Sequence, residues 1–244
     1  MRSWLVASLL LVIGQVARAE QAPRLDFSAA VATDYVSRGV SRGDGRPSAA
    51  VGADVTKDAL YAGVWVSTLG GADAADAEVL VYGGWRPDRW GYSFDLGAIG
   101  RSYPGAAHRV AAAYLELQAS GSQTIGPLQY GLRIIFAPKA ANIPGSAPLA
   151  PSQRGDGYYL ELNAAYELTR RLKASTALGR QSNSYDALDR AVRRRDASYT
   201  IWNLGLAYDL NEHLNFDLRY WDTDARSFGS AYRPGLVGGL TARF

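Results

Sequence analysis

Charged side chains recur on one face of stretches that otherwise alternate between apolar and small or polar residues. A narrow, water-filled lumen that carries both signs of charge can select solutes through a transverse field. Acids outnumber bases on this face, so we expect a weak preference for cations. The alternative is that these residues pair across strands and only solvate the wall. The residues predicted to line a lumen are Asp34, Arg38, Asp54, Glu78, Asp95, Arg101, Glu116, Arg133, Glu161, Asp217 and Arg219.

The residue types give little support to an enzymatic or metal-dependent function. The chain has no cysteine and only two histidines, His108 and His213, which fall in predicted connections at opposite ends of the strands. No serine, histidine and acid are spaced as a catalytic group, and carboxylates on neighbouring strands are too generic to define a dyad. We therefore expect no enzyme, no catalytic residue, no metal site and no cofactor.

The N-terminus has the pattern of a secretory signal peptide. A basic residue at position 2 precedes an apolar run over residues 4–13 and a small-residue cleavage site of the Ala-x-Ala type. We expect residues 1–19 to be removed and residues 20–244 to form the mature domain. The net charge of +3 falls close to neutral without Arg2 and Arg18, which argues against a nucleic-acid partner.

Segments of about ten residues with a period of two recur along the rest of the chain. The pattern predicts an all-β fold, an antiparallel transmembrane β-barrel of about 12 strands. Such a barrel would close at a backbone diameter of roughly 24 Å and leave a lumen of about 10 Å or less. The predicted strands cover residues 25–38, 47–56, 59–69, 77–85, 90–103, 110–120, 128–137, 157–168, 172–180, 198–210, 214–222 and 234–244.

The connections between these segments alternate between two classes. The short ones carry turn formers and charges, and the others are longer or looser. Single-chain outer-membrane barrels have short periplasmic turns and longer extracellular loops, with both chain ends on the periplasmic side. The short connections are 57–58, 86–89, 121–126, 169–171 and 211–213, and the long ones are 40–46, 70–76, 104–109, 138–156, 181–197 and 223–233.

The apolar face of the later segments, which carries Leu160, Leu204 and Leu218, could point either way. In a soluble barrel it points inward, and in a membrane barrel it faces lipid. The signal peptide, the sorting of the loops and the terminal aromatic residue Phe244 favour the membrane version and a location in the outer membrane of a Gram-negative bacterium.

Partners are expected at three places. Membrane lipid and lipopolysaccharide would cover the outside of the barrel, and small solutes would occupy the lumen. The barrel-assembly machinery would bind the closing strand 236–244, which ends in Phe244. The basic run 193–195 can bind phosphates of the outer leaflet, although a solvated loop is the alternative.

The longest predicted loop, residues 138–156, contains Pro144, Pro148 and Pro151 and is therefore stiff. It can fold inward as a constriction or remain a surface loop, and the surface loop is favoured.

The first three segments also carry a family pattern. Asp34-Tyr35-Val36-Ser37-Arg38-Gly39-Val40-Ser41, a following Pro47 and Tyr61-Ala62-Gly63-Val64-Trp65-Val66-Ser67 resemble the porin family named TorF. The resemblance covers about residues 27–69 and implies an outer-membrane barrel with pore activity and no established substrate. It supplies no catalytic residues.

Gly39 would relax the chain where it leaves the sheet, and Arg38 would reach Asp34 on the same face. Gly63 beside Trp65 would leave room for the indole. Arg38→Ala is then expected to lower barrel stability more than it alters solute passage.

The function that follows is a porin-like channel for passive diffusion of ions or small hydrophilic solutes. The alternatives are a non-conducting outer-membrane barrel with a structural or surface-binding role and, less favoured, an exported soluble binding barrel.

Overall fold

Twelve antiparallel strands form one closed barrel in the computed structural model, which describes residues 22–69, 75–105, 113–140, 155–184 and 198–244. Each strand pairs with its neighbours in the chain, and the last pairs with the first. The predicted all-β class and strand number are confirmed. The strands are β1 Arg24–Ala32, β2 Ser48–Lys57, β3 Leu60–Thr68, β4 Ala77–Trp85, β5 Tyr92–Ser102, β6 Ala113–Ile125, β7 Leu128–Ala140, β8 Gly155–Glu167, β9 Leu172–Ser184, β10 Tyr199–Asp209, β11 Leu214–Thr223 and β12 Gly235–Arg243.

The barrel is closed by the pairing of β1 with β12. Ser28 lies opposite Arg243 and Ala32 lies opposite Gly239 in this register. The backbone of Phe244 continues the ladder, because its N–H donates to the carbonyl of Phe27 at 2.9 Å and its carbonyl accepts from the same residue at 3.1 Å. The closing strand predicted from the C-terminal alternation is therefore present, and the sheet has no free edge there.

The strands place apolar side chains on the outside of the barrel. On β6, the exposed Leu115 and Leu117 flank Glu116, which is fully buried. On β8, the exposed Tyr158 and Leu160 flank the buried Tyr159. Because successive side chains of a strand point to opposite faces, the buried and polar members of each strand point into the barrel. The predicted faces are confirmed.

The two ends of the barrel differ. The turn end carries the tight connections after β2, β4, β6, β8 and β10, together with both ends of the barrel domain. The loop end carries the longer connections. Several bounds differ from the prediction. The connection after β6 is shortened to residues 126–127 because β6 extends to Ile125. Trp90 and Gly91 form a turn with positive φ before β5 begins.

The largest difference concerns the first strand, which was predicted to run over residues 25–38 and ends at Ala32. Residues 33–47, which we call loop 1, contain a small hairpin of Val36–Ser37 and Val40–Ser41. The two residues at its tip, Arg38 and Gly39, have φ of 51° and 76°, the positive values that a two-residue hairpin turn requires. Gly39 thus serves a turn, whereas the sequence had placed it at the end of a long strand.

Between β11 and β12 the chain forms two short 3-10 turns, Arg226–Phe228 and Ser230–Tyr232. Within the described ranges, no helix is long and apolar enough to cross a membrane. Four features singled out in the sequence lie outside the described residues: the signal peptide 1–19, the three prolines Pro144, Pro148 and Pro151, His108 and the basic run 193–195.

Candidate functional site

Loop 1 folds inward and reaches the far wall of the barrel mouth. It starts from β1, yet Nη2 of Arg38 lies 2.6 Å from Oε1 of Glu116 on β6, nearly half way round the ring. The Arg38 guanidinium also lies 5.2 Å from the ring centroid of Tyr159 on β8. A Cβ added to Gly39 would meet the side chains of Ile201 on β10 and Thr223 on β11. The hairpin therefore spans the lumen at the loop end.

Four charged residues form what we call the mouth cluster: Arg38, Glu78, Arg101 and Glu116. Arg101 donates from Nη1 to Oε1 of Glu78 and from Nε to Oε2 of Glu116, both at 2.8 Å. Both carboxylates are completely buried. Charges removed from water are retained only when they are paired and hydrogen-bonded. The cluster meets this requirement by joining loop 1 to three neighbouring strands.

Tyrosine hydroxyls complete the hydrogen bonding of Glu78. Tyr35 of loop 1 and Tyr103, just after β5, both donate to its carboxylate, the latter at 2.8 Å. Arg42 of loop 1 in turn donates from Nη2 to the Tyr103 hydroxyl at 2.9 Å. Burial raises the pKa of Tyr103 well above its usual range, and burial together with the Glu78 charge raises the pKa of Tyr35. Both hydroxyls therefore stay protonated and act as donors at neutral pH.

An apolar cluster seals loop 1 against the opposite side of the mouth. Val40 packs with the buried Ile201, Tyr199 and Tyr232. The rings of Tyr199 and Tyr232 meet edge to face, with centroids 5.4 Å apart, a favourable arrangement for aromatic pairs. Loop 1 is thus held by charges on one side and by apolar contacts on the other.

The contact expected between Arg38 and Asp34 is replaced by others. Because the strand ends at Ala32 and Arg38 occupies a turn, its side chain points to Glu116. Asp34 accepts a hydrogen bond from Oγ of Ser41 at 3.0 Å, within loop 1. Burial raises the pKa of Asp34 above its usual range, although hydrogen bonds to its carboxylate oppose this.

Toward the turn end, the wall formed by β2 to β5 carries a second polar group. The Tyr82 hydroxyl donates to Asp54 at 2.7 Å, and the Tyr61 hydroxyl donates to Asp95 at 2.8 Å. Arg86 donates from Nε to Asp95 at 2.9 Å and stacks over the Tyr61 ring, 3.7 Å from its centroid. Asp54 and Asp95 therefore have hydrogen-bond partners within this wall.

The opposite wall of the turn-end half is more open. Arg219 donates to Asp217 at 2.9 Å and to Asn203 at 2.7 Å. Arg133 lies 3.9 Å from Glu161, and its side chain is 48% exposed. A cavity of about 150 Å³ adjoins it, lined in part by Ser120, Gln129, Arg133 and Asn163. Space for water therefore remains inside the barrel at this level.

The eleven candidate residues thus divide by position. Nine lie on the inner face of the barrel: Asp54, Glu78, Asp95, Arg101, Glu116, Arg133, Glu161, Asp217 and Arg219. Asp34 and Arg38 lie in loop 1. A pore-lining role for these residues remains a prediction. Across the described ranges no three His, Cys, Asp or Glu side chains are grouped to hold a metal ion.

Tyr35, Arg42 and Tyr103 of this region were not among the residues predicted from the sequence, nor was the buried Tyr114, the cross-strand neighbour of Arg101. Their only signal is that Tyr35 and Arg42 belong to the polar loop of the family pattern. It also assigned the wrong glycine to the indole of Trp65. A Cβ added to Gly52 on β2 would lie 2.6 Å from that indole, whereas Gly63 makes room for the Tyr82 ring and the Asp54 carboxylate.

Solved structures with a similar fold are outer-membrane porins and channels. The NanC porin has a TM-score of 0.58 at 11% identity, over 91% of this chain and 99% of that one. The KdgM porin, solved with disordered oligogalacturonate, has 0.55 at 10%, over 91% and 99%. The COG4313 outer membrane channel from Pseudomonas putida F1 has 0.52 at 10%, over 92% and 96%. Such low identities establish the fold alone, a porin-like barrel.

Comparison with curated proteins finds no similar sequence. The resemblance to porins is supported at the level of the fold, and the TorF name is not confirmed by any match. Residues 17–238 match the model of the family described as "Bacterial protein of unknown function (Gcw_chp)", and the chain belongs to this family.

Proposed function

We propose that the protein is an outer-membrane channel for passive diffusion of ions or small hydrophilic solutes, with loop 1 as its constriction. The observation that carries this proposal is the contrast inside one closed ring of strands. Inward-pointing charged side chains such as Arg133 remain half exposed toward the turn end, whereas loop 1 crosses the mouth at the loop end. A wet polar interior is what a diffusion channel needs.

The outside of the barrel supports a position in the membrane. Exposed aromatic side chains form one group near the turn end, among them Trp85, Tyr166 and Phe244. A second group near the loop end includes the outward pairs Phe136 with Tyr158 and Trp202 with Tyr220. Along β8, Tyr158 and Tyr166 are about 26 Å apart, which corresponds to about 20 Å across a membrane after strand tilt. This is close to the height of the apolar band of outer-membrane barrels.

The partners follow from this position. Lipid and lipopolysaccharide would cover the apolar outer face. Phe244, with an exposed side chain at the end of the closing strand, would be read by the barrel-assembly machinery. A weak cation preference is proposed because seven of the eleven candidate residues are acids and four are bases. An excess of acidic side chains along a narrow, wet lumen favours cations over anions.

Conductance of the refolded protein in a planar bilayer, with a salt gradient across it, tests the channel. Ala32 and Ser48 are paired directly, so residues 33–47 can be replaced by a tight turn that joins β1 to β2. We expect small, cation-selective steps for the natural protein and larger steps for the variant. A control that replaces only residues 44–46, which are exposed, should conduct as the natural protein does.

The second candidate function is a non-conducting barrel, and the sealed contacts of loop 1 favour it. In that case the natural protein and the 44–46 control give no steps although both are folded and heat-modifiable, and only the loop 1 deletion conducts. A folded barrel that conducts in none of the three forms contradicts the channel altogether.

A further inference from the structure

The wall of the barrel mouth contains a ready-made site for a cation, which we call the socket: Glu78, Arg101, Glu116 and the ring of Tyr159. The four residues belong to β4, β5, β6 and β8. Two carboxylates and one guanidinium leave the socket with a net negative charge. The balancing charge comes from loop 1, as the guanidinium of Arg38 beside Glu116, and Arg42 of the same loop adds a second positive charge near Glu78.

Arg38 is bound in the socket as a ligand would be. Its Nη2 lies 2.6 Å from Oε1 of Glu116, its guanidinium carbon lies 5.2 Å from the Tyr159 ring centroid, and only 8% of its side chain is exposed. A carboxylate acceptor beside an aromatic ring is a favourable site for a planar guanidinium. The wall supplies this recognition without any other part of loop 1.

Two further hydroxyl groups lie beside the socket without a partner. Oη of Tyr114, the cross-strand neighbour of Arg101, and Oγ of Ser67, the neighbour of Glu78, are buried and accept no hydrogen bond from the described residues. Hydroxyl oxygens are acceptors as well as donors. Acceptor capacity is therefore left beside the carboxylates, and it suits a ligand that carries several N–H donors.

We propose that the socket binds small guanidinium-bearing solutes and that Arg38 is its tethered occupant. A free solute that enters the socket displaces Arg38 and releases loop 1 from the mouth. The part of this proposal that concerns which solutes pass through the channel rests on the proposed function. The part that concerns binding of a guanidinium in the socket does not depend on it.

Exchange is the favoured way to release the loop. If Arg38 left without a replacement, Glu116 would keep only Arg101 as a partner in a buried site, which is strongly unfavourable. A second guanidinium removes this cost. Because Arg38 is tethered, it competes at an effective concentration on the order of millimolar. A free solute therefore opens the mouth only when its concentration is comparable.

Trypsin provides a direct readout. Loop 1 offers cleavage after Arg38 and after Arg42, and both side chains are buried while the loop is docked. In Arg38→Ala, only the bond after Arg42 remains. We expect this variant to be cleaved there rapidly. Its socket is vacant, so methylguanidinium can replace the missing guanidinium without displacing any part of loop 1, and the loop can dock again. At millimolar concentration it should slow the cleavage at least about tenfold, the factor that corresponds to about 1.4 kcal/mol of binding. Sodium chloride at equal ionic strength should not protect.

Two variants serve as controls. Arg46→Ala removes a guanidinium from the same loop that is 67% exposed, so it should remain as resistant as the unmodified protein and should gain no protection from methylguanidinium. Glu116→Gln combined with Arg38→Ala removes the one socket carboxylate that binds the Arg38 guanidinium, so protection should be lost.

The unmodified protein gives an independent test, which holds even if Arg38→Ala fails to fold. Methylguanidinium above the millimolar range should accelerate its cleavage after Arg38 and Arg42, and sodium chloride should not. Equal effects of the two salts on both proteins would overturn the socket. If methylguanidinium protects Arg38→Ala from trypsin but the barrel never conducts, the socket is supported and the channel is rejected. If the barrel conducts but methylguanidinium gives no protection, the channel is supported and the socket is rejected.

Discussion

The two halves of the barrel interior hold their charges in opposite ways. At the loop end, Glu78 and Glu116 are completely buried, and their hydrogen-bond partners come from β5, from Tyr103 just after it and from loop 1. At the turn end, Arg133 and Asp217 keep 48% and 35% of their side chains exposed. Ion pairs in the first half are removed from water, and those in the second half remain wet.

This difference distinguishes residues that hold the barrel mouth closed from residues that line the barrel interior. Buried charges that must be paired fix the position of whatever supplies the missing partner, and here that is a hairpin inserted from a loop. Exposed pairs contribute little to stability, are screened by salt and can exchange with solutes. The same residue types therefore hold loop 1 in place at one end of the barrel and form a solvated wall at the other end.

The largest expected effect contrasts the two halves directly. Glu116→Gln leaves Arg38 and Arg101 buried without one of their carboxylates, and we expect a loss of about 3–5 kcal/mol in the free energy of unfolding. Asp217→Asn, in a partly exposed pair with Arg219, should cost less than about 1 kcal/mol. Denaturant unfolding followed by tryptophan fluorescence measures both. Similar losses for the two variants would mean that the halves do not differ as described.

A second prediction compares two glycines of loop 1 that share a backbone conformation. Gly39 and Gly45 have φ of +76° and +72°, so alanine costs roughly 1–2 kcal/mol of backbone strain at either position. At Gly39 the added Cβ would also lie 2.5 Å from Cγ2 of Ile201, whereas at Gly45 nothing lies within 4 Å.

Gly39→Ala should therefore expel loop 1 from the mouth and expose the bond after Arg42 to trypsin. Gly45→Ala should leave the loop docked. Resistance of both variants to trypsin would show that the tip of the hairpin is not packed against β10.

The smallest expected effect concerns pH. Because burial raises the pKa of Asp34, the folded protein binds more protons than the unfolded chain between the ordinary aspartate pKa of about 4 and the raised one. Stability should therefore fall as pH rises through this window and level off above it. The difference in unfolding free energy between the natural protein and Asp34→Asn isolates this dependence. An increase with pH would contradict the sign.

The sequence-based expectation for Arg38→Ala, a larger effect on barrel stability than on solute passage, remains a prediction with a different physical basis. Its partner is Glu116 on the far wall, and Asp34 is held by Ser41. The substitution therefore loosens loop 1, so that an effect on passage accompanies the loss of stability.

The sequence by itself determined the barrel. The period of two identified the strands, and the alternation of turns and loops ordered the two ends. The signal peptide, the sorting of the loops and Phe244 assigned the apolar face around residues such as Leu160 and Leu204 to the outside. Each of these signals is local, because a strand exposes its two faces within a few residues. Nine of the candidate charges were accordingly placed on the inner face.

Only the tertiary structure decided where loop 1 goes. Arg38 and Glu116 are 78 residues apart in the chain. Arg38 follows β1, and Glu116 lies on β6, nearly half way round the ring. A turn residue such as Arg38 has no periodic partner, so its sequence neighbours do not indicate which wall it reaches. The closure of the barrel sets the distance between loop 1 and the far wall. Because Glu78 and Glu116 are buried in that wall, they require a guanidinium such as that of Arg38 as a partner.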